Sequence, residues 1–273
     1  MNPSPFDYIR SIYTWIIFIA WTLLIIGVLY LVCLPIQLVI RKFDPQHRFL
    51  HYYACVWANG TFWLFPGWKI FVNGHEKIDR KKSYIFVANH QSLLDIQAIY
   101  TLWRQFRWIA KDVLFKIPFF GWGMALIGYI PLKRGNKDSI SICMNIAKQK
   151  VLQNMPVLFF PEGTRSKDGE MLPFKHGAFT LAKETQTEIV PIVIDGTGTA
   201  IRKHTWIFNR DVNIVIEVLD PISKDMVFKQ SVEELKEISR SRIMQRLNDI
   251  RKRQDVHHKS RIPRTQTQQM SNA

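Results

Sequence analysis

The sequence predicts an α/β domain behind a membrane-directed helical N-terminus, and three observations carry that expectation. From Ser11 to Ile40 not one side chain is charged. From about residue 69 to residue 222, short apolar runs alternate with stretches of helical pattern, the rhythm of a sheet covered by helices. Hydrophobic residues make up 47% of the 273 positions and charged residues 22%, which excludes a disordered or fibrous chain.

The N-terminal element comes first. About 20 helical residues cross a hydrocarbon core, so the uncharged run is long enough to span a bilayer with tilt. Trp15 and Trp21 lie within it and Tyr13 and Tyr30 near its ends, where interfacial aromatics sit. Pro35 is predicted to kink or end the helix. A spanning helix, two helices lying in the interface and a buried hairpin therefore all remain open. No small-x-small site follows the run, which argues against a cleaved signal peptide. Arg41, Lys42 and Arg48 follow it, against Arg10 alone before it, which places the rest of the chain on the cytoplasmic face. Residues 43–68 mix aromatic and polar side chains, read as a second amphipathic helix or interfacial segment ending in a connector at Pro66-Gly67. Residues 1–68 thus form the anchoring segment.

In the α/β region, strands are expected at Lys69–Val72, Tyr84–Ala88, Arg107–Ala110, Val157–Phe160, Ile189–Ile194 and Val212–Val218, several uniformly apolar as buried strands are. Helical patterns fall at Leu93–Leu102, Lys137–Gln153 and Phe174–Thr185. The domain is expected to cover 69–222. A C-terminal unit, 223–254, carries Val232, Leu235, Ile238, Ile243, Leu247 and Ile250 at near-helical spacing. From Arg240 to Arg264 nine Lys/Arg stand against two Asp, either a solvated helix face or a contact with anionic lipid. The tail, 255–273, is expected to be disordered.

Charge narrows the partners. Lys and Arg exceed Asp and Glu by 37 − 22 = 15, with a pI near 9.8, so an anionic partner is implied: nucleic acid, an anionic membrane or a phosphorylated substrate. The 13% aromatic content, with nine Trp, favours the membrane. Zinc spacing, an RNP-type motif and a helix-turn-helix signature are all missing, which argues against nucleic acid. The cysteines, Cys33, Cys55 and Cys143, show no CxxC spacing. A disulfide scaffold or zinc ribbon is therefore not expected, and a reducing compartment fits.

The chemistry starts at Asn89-His90-Gln91-Ser92-Leu93-Leu94-Asp95. On one continuous helix residues five apart do not face each other. His90 and Asp95 can meet if His90 lies on the loop after a strand and Asp95 in the first turn of the next helix. The carboxylate would then accept the Nδ1 proton and leave Nε2 free as a general base. With eight His in the chain, that pattern alone is unspecific.

Three further blocks accompany it: Gly128-Tyr129-Ile130-Pro131-Leu132-Lys133-Arg134-Gly135, Phe159-Phe160-Pro161-Glu162-Gly163-Thr164-Arg165-Ser166, and Val190-Pro191-Ile192-Val193-Ile194. In order and spacing the four blocks, from Lys69 to Pro221, resemble the glycerolipid acyltransferases, the lysophosphatidic acid acyltransferases in particular. The resemblance implies the family's mixed sheet flanked by helices, behind an N-terminal membrane helix or helical hairpin. It implies His90 as catalytic base with Asp95 as its partner. Glu162, Gly163, Thr164 and Arg165 would form the acceptor's phosphate and glycerol site, Arg134 would converge on it, and Lys111 would match a lysine thought to meet phosphate. Pro191 would belong to a structural strand of the acyl site. No metal or cofactor is implied, with acyl-CoA or acyl carrier protein as co-substrate and a lysophospholipid as acceptor. Two positions depart from the pattern: Val113 stands where the family usually has Glu, and Leu132-Lys133-Arg134 where the second block often reads I-D-R. The extra cation bears on which head group is accepted.

Independent of the resemblance, a phosphate monoester suits planar donors such as Arg134 and Arg165, with Lys111 as a point charge. The apolar stretch Phe115–Trp122 could line an acyl channel or be plain core. A sibling acyltransferase with another lyso-acceptor and a non-catalytic lipid-binding protein on the same fold are the competing readings.

Overall fold

The central strands of the sheet are buried on both faces, which is why their sequences read as unbroken apolar runs. The computed structural model describes residues 3–65, 67–166, 170–201 and 205–260, with side chains up to Gln254. The chain opens with helix α1 (Pro5–Val28), capped by Ser4, whose hydroxyl accepts the Asp7 N–H at 3.3 Å while the Asp7 carboxylate accepts the Ser4 N–H at 3.0 Å. One widened π-type turn, Leu29–Cys33, leads into α2 (Leu34–Ile40). Pro35 therefore does not end the helix, because the wider turn just before it accommodates a residue with no N–H and a bulky ring.

Helix α3 (Arg48–Trp63) folds back along α1, so the N-terminal segment is a helical hairpin. Trp21 Nε1 donates to the Trp57 carbonyl at 3.0 Å and Tyr53 Oη to the Ile25 carbonyl at 2.7 Å. Gly60 leaves room for the Trp21 ring, which any Cβ there would strike. The hairpin also docks on the domain: Trp15 Nε1 donates to the Trp206 carbonyl at 3.0 Å and Arg10 to the Phe208 carbonyl at 2.9 Å. The other side of α1 stays open, with Phe6, Ile9, Ile12, Ile16, Ile19 and Leu23 exposed.

The rest runs β1 (Trp68–Asn73), β2 (Ile85–Ala88), α4 (Leu94–Tyr100), β3 (Arg107–Lys111), α5 (Phe120–Ile127), β4 (Ile130–Leu132), α6 (Lys137–Leu152) and β5 (Val157–Phe159). It continues with α7 (Gly177–Thr185), β6 (Ile189–Asp195), β7 (Val212–Val218), α8 (Lys224–Lys229) and α9 (Val232–Ser260). Strand order in the single seven-stranded sheet is β1-β7-β6-β2-β5-β3-β4. Neighbours are parallel except β6 and β7. This is the mixed, helix-flanked sheet that the sequence predicts. One face (Phe86, Ala88, Leu158, Ile192) packs on the hairpin, α4 and α5, and the other (Ile85, Val87, Val157, Val193) on α6, α7 and α9.

The sequence reading did not contain β4 or α5, and the amphipathic helix it placed over 223–254 is divided into α8 and α9. Strand β4 is three residues long with Pro131 in it, tolerable only because it is an edge strand. Helix α5 begins in the last residues of the stretch offered as acyl-channel wall, Phe115–Trp122, and its Gly121 and Gly123 weaken the helical signal.

Helix α9 buries Leu235, Ile243, Leu247 and Ile250 as its periodicity predicts. Its basic side is largely committed to the domain. Arg246 makes a two-pronged pair with Glu217 at 2.7 and 2.8 Å, and Arg251 meets Asp195 at 3.2 Å. Arg240 and Arg242 donate to the carbonyls of Met171 and Asp220. The helix also runs to Ser260, so the expected disordered tail does not begin at 255; the remainder of that tail lies outside the described residues.

Candidate active site

The parallel strands β2, β5, β3 and β4 all end at one edge of the sheet, the edge where open α/β sheets bind ligands. Each sequence block rides on one of those ends. The loop after β2 carries His90, and Asp95 sits in the first turn of α4, so a strand-to-helix turn brings together two residues that a continuous helix would separate. His90 Nδ1 lies 2.7 Å from Asp95 Oδ2. A buried carboxylate only accepts, so the proton of the pair belongs on Nδ1, and Nε2 makes no hydrogen bond to any described residue.

Asp95 is fully buried and held from every side. Oδ2 also accepts the backbone N–H groups of Gln91 and Ser92 at 2.6 and 2.9 Å, and Oδ1 accepts the Thr197 hydroxyl. The Phe160 ring stacks on the imidazole at a centroid distance of 4.3 Å and an interplanar angle of 28°. His90 can thus neither flip nor tilt freely.

The third block locks this loop. Glu162, buried, accepts the His90 N–H on Oε1 at 2.7 Å and the Leu172 N–H on Oε2 at 2.8 Å, while the Ser166 N–H donates to the His90 carbonyl at 3.0 Å. Burial raises the Glu162 carboxyl above its ordinary range, and the two backbone donors only partly offset that. Glu162 therefore ties two loops together, a different task from the acceptor-site place that the resemblance implies for it. The apolar fourth block is stitched to the first by Asn89, whose amide donates to the Ile194 carbonyl at 2.7 Å and accepts the Ile194 N–H at 2.8 Å. Pro191 lies buried in β6, paired with Val87 of β2. Its carbonyl accepts the Leu219 N–H, so its missing donor faces the side where the β6–β7 ladder, which starts at Ile192, has not begun. Pro191 thus sits inside the sheet.

The cations gather at the same edge. Arg134 follows the end of β4 and Arg165 lies beside Ser166; both are exposed. Partial desolvation lowers the Arg134 guanidinium below its ordinary value, and the charge of Arg165 lowers it further. Among the described residues neither is paired with a carboxylate. Thr164 is exposed between them and Glu162. Lys111 closes β3 opposite Leu132, on the same edge. Gly163 has φ +70°, and the position a Cβ would take lies 2.8 Å from both Cε and Nζ of Lys175, whose ammonium lies across the loop. The sequence reading missed Lys175, Thr197 and Phe160 as site residues. Phe160 stood inside a quoted block, and Thr197, in Asp195-Gly196-Thr197, follows directly on an apolar strand; nothing local marked Lys175.

A hydrogen-bonded His/Asp pair with one imidazole nitrogen free of described partners can abstract a proton, and guanidinium groups at the same edge of the sheet can take a phosphate. Comparison with known proteins gives the family. The acyltransferase family model matches residues 69–195. A 1-acyl-sn-glycerol-3-phosphate acyltransferase of Borreliella burgdorferi is 31% identical over 192 residues, 70% of this chain and 76% of that one. The chloroplastic 1-acyl-sn-glycerol-3-phosphate acyltransferase of Arabidopsis thaliana is 41% identical over 158 residues, 57% of this chain but only 44% of that protein's length. The crystal structure of the 1-acyl-sn-glycerophosphate acyltransferase from Thermotoga maritima superposes with a TM-score of 0.73 at 26% identity, covering 90% of this chain and 98% of that one. The chain belongs to the acyltransferase family.

Proposed function

We propose that the protein transfers an acyl chain from a thioester to the free hydroxyl of lysophosphatidic acid, giving phosphatidic acid for phospholipid synthesis. The observation that carries this reading is the His90–Asp95 pair with Nε2 free, on a loop hydrogen-bonded to the segment that bears Arg165. In the proposed reaction Nε2 takes the proton of the acceptor hydroxyl as its oxygen attacks the thioester carbonyl. Asp95 stabilises the imidazolium that forms. Collapse of the tetrahedral intermediate breaks the C–S bond, and the proton passes from Nε2 to the departing thiolate, leaving an ester and a free thiol. Arg134 and Arg165 hold the acceptor's phosphate, with Lys111 and Lys175 adding positive charge at the rim.

The N-terminal hairpin supports action at a membrane. Residues 5–40 form a helical run containing an 18-residue stretch of mean hydropathy 2.8, of which only 11% is buried. Because one side of α1 docks on the domain through Arg10 and Trp15 and on α3 through Trp21, the exposed apolar side suits a helix lying in the interface, facing cytoplasmic lipid, better than one projecting through it. Both acyl-CoA and acyl carrier protein remain donors to be compared.

The test is acyl transfer in detergent micelles from each labelled donor to a panel of lyso-acceptors, with wild type and His90→Ala in parallel. Turnover of lysophosphatidic acid that falls by about 10²–10⁴ in His90→Ala supports the reading. Equal turnover by both proteins removes His90 from the chemistry, and turnover of a different acceptor alone moves the substrate.

A further inference from the structure

A second pair of unpaired cations lies at the opposite end of the sheet. Arg107 opens β3, so it sits at the end of the parallel strands away from His90 and Arg165. It is only 1% exposed. Nη1 donates to its neighbour's carbonyl, that of Phe106, at 3.0 Å and Nη2 to the Gln46 carbonyl, while the Nε–H finds no acceptor among the described residues. Lys150, in the last turn of α6, comes to the same place and has no acceptor or ion pair among the described residues. The meeting point is defined by Gly128: the position a Cβ would occupy there lies 3.5 Å from Arg107 Nε and 3.7 Å from Lys150 Nζ.

The space between them is a cavity of about 250 Å³, walled by Gln46, His47, Arg107, Gly128, Lys150 and Gln153 among others, with no carboxylate among the described residues of its lining. Asp44, the carboxylate whose charge favours the Arg107 guanidinium, is engaged elsewhere, accepting the N–H groups of Arg48 and Phe49 at 2.9 Å each. Arg107 makes the Lys150 charge costlier: burial lowers the Lys150 ammonium and Arg107 lowers it further. A buried guanidinium with an unused donor, aimed at a second cation across an acid-free cavity, is unfavourable unless an anion completes it.

We propose that this cavity binds a phosphate group, with Arg107 and Lys150 as its ligands, at a site separate from the candidate active site. The Pro45–His47 wall belongs to the connection between α2 and α3, just beyond Arg41 and Lys42 at the end of the apolar run. That position is head-group depth if the hairpin lies on a membrane, so the phosphate is that of a phospholipid monoester head group or a free phosphate ion. The site does not depend on the proposed acyl transfer.

The experiment follows amine labelling of Lys150 by mass spectrometry in the detergent-solubilised full chain, against inorganic phosphate. It is repeated on phosphatidylcholine vesicles with and without phosphatidic acid. In an Arg165→Gln background, which removes an anion ligand of the other site, labelling of Lys150 is expected to slow about tenfold at a ligand concentration about ten times Kd. Arg107→Gln is expected to abolish that protection. If Arg107→Gln does not fold, Lys150→Gln replaces it, and loss of the phosphate-induced rise in Tm is the readout. Protection by inorganic phosphate identifies the free ion as sufficient, and protection only by vesicles containing phosphatidic acid identifies the lipid head group. Labelling insensitive to both, or protection by phosphatidylcholine alone, overturns the proposal.

Discussion

Asp95→Asn separates what the carboxylate does by charge from what it does by geometry. Asn can occupy the site without disorder. Its oxygen can take the Oδ2 position, where the N–H groups of Gln91 and Ser92 and the His90 Nδ1 converge. Its amide then faces the Thr197 hydroxyl, which can rotate to accept instead of donate. The two backbone donors hold the oxygen in place, so the imidazole keeps its Nδ1–H tautomer. What is lost is the charge that stabilises imidazolium. At an effective dielectric of about 20, unit charges about 4 Å apart attract by ~4 kcal/mol, and the retained neutral hydrogen bond returns ~1 kcal/mol. The net ~3 kcal/mol corresponds to roughly 150-fold in kcat. The assay is steady-state acyl transfer with the acceptor varied, alongside a thermal melt. A fall of that order in kcat, with the acceptor KM and the Tm near wild type, is expected. A correctly folded Asp95→Asn enzyme with kcat within about threefold of wild type would refute the base role.

Two further outcomes follow from neighbouring residues. His51, buried in α3 with Nε2 bonded to the Arg104 carbonyl at 2.9 Å, is lowered from its ordinary 6.5 to about 3, first by burial and then by Arg107. The folded state thus binds fewer protons than the unfolded one between those values, and stability falls as pH drops below about 6.5, by ~1.4 kcal/mol per unit. His51→Gln keeps an N–H for Arg104 and removes that slope, so between pH 7 and 5 it should lose ~2 kcal/mol less than wild type in urea melts; parallel curves would show the argument wrong. Gly163→Ala places a Cβ against Lys175 and forces alanine to φ +70°. A cost of about 1–2 kcal/mol in folding is expected, together with a raised acceptor KM because Lys175 is displaced; an unchanged KM would detach Lys175 from the phosphate site.

The parts of this fold that the sequence disclosed are those in which one physical demand acts on adjacent residues. Burial on both faces wrote β2 and β6 as solid apolar runs, and packing on the sheet wrote the spacing of Leu235, Ile243, Leu247 and Ile250 in α9. The missed elements are those whose demand is weak or divided. Strand β4 needs only three residues, and α5 carries two glycines for close approach. The site divides in the same way. His90 and Asp95 were legible because a strand-to-helix turn keeps them five apart. Thr197 reaches Asp95 across 102 positions of chain, and Lys175 meets Gly163 from a different stretch of chain, with no local pattern to announce it. Arg240, Arg242, Arg246 and Arg251 show the converse error that charge counting invites. They read as a free basic face, yet each meets an acceptor on the domain.

That reassignment shifts the membrane argument from charge to shape. With much of the α9 charge internally matched, the uncompensated apolar surface includes the open side of α1 together with Ile117, Phe119 and Trp122. The two are joined, since Tyr30 donates to the Phe119 carbonyl at 2.8 Å and its ring packs edge-on against that side chain at 5.9 Å. Ile117 comes six residues after Lys111, which ends β3 at the ligand-binding edge of the sheet. A lipid surface that covers the hairpin would therefore reach towards the edge that carries His90, Arg134 and Arg165. An acceptor with one acyl chain and one phosphate could keep its chain in that apolar surface while its phosphate meets the cations. Exposed apolar area of this extent is costly in water, and burial in lipid relieves it at about 25 cal/mol per Å². In the proposed reaction the hairpin would do two things at once: hold the protein on the membrane and set the depth at which the hydroxyl meets Nε2.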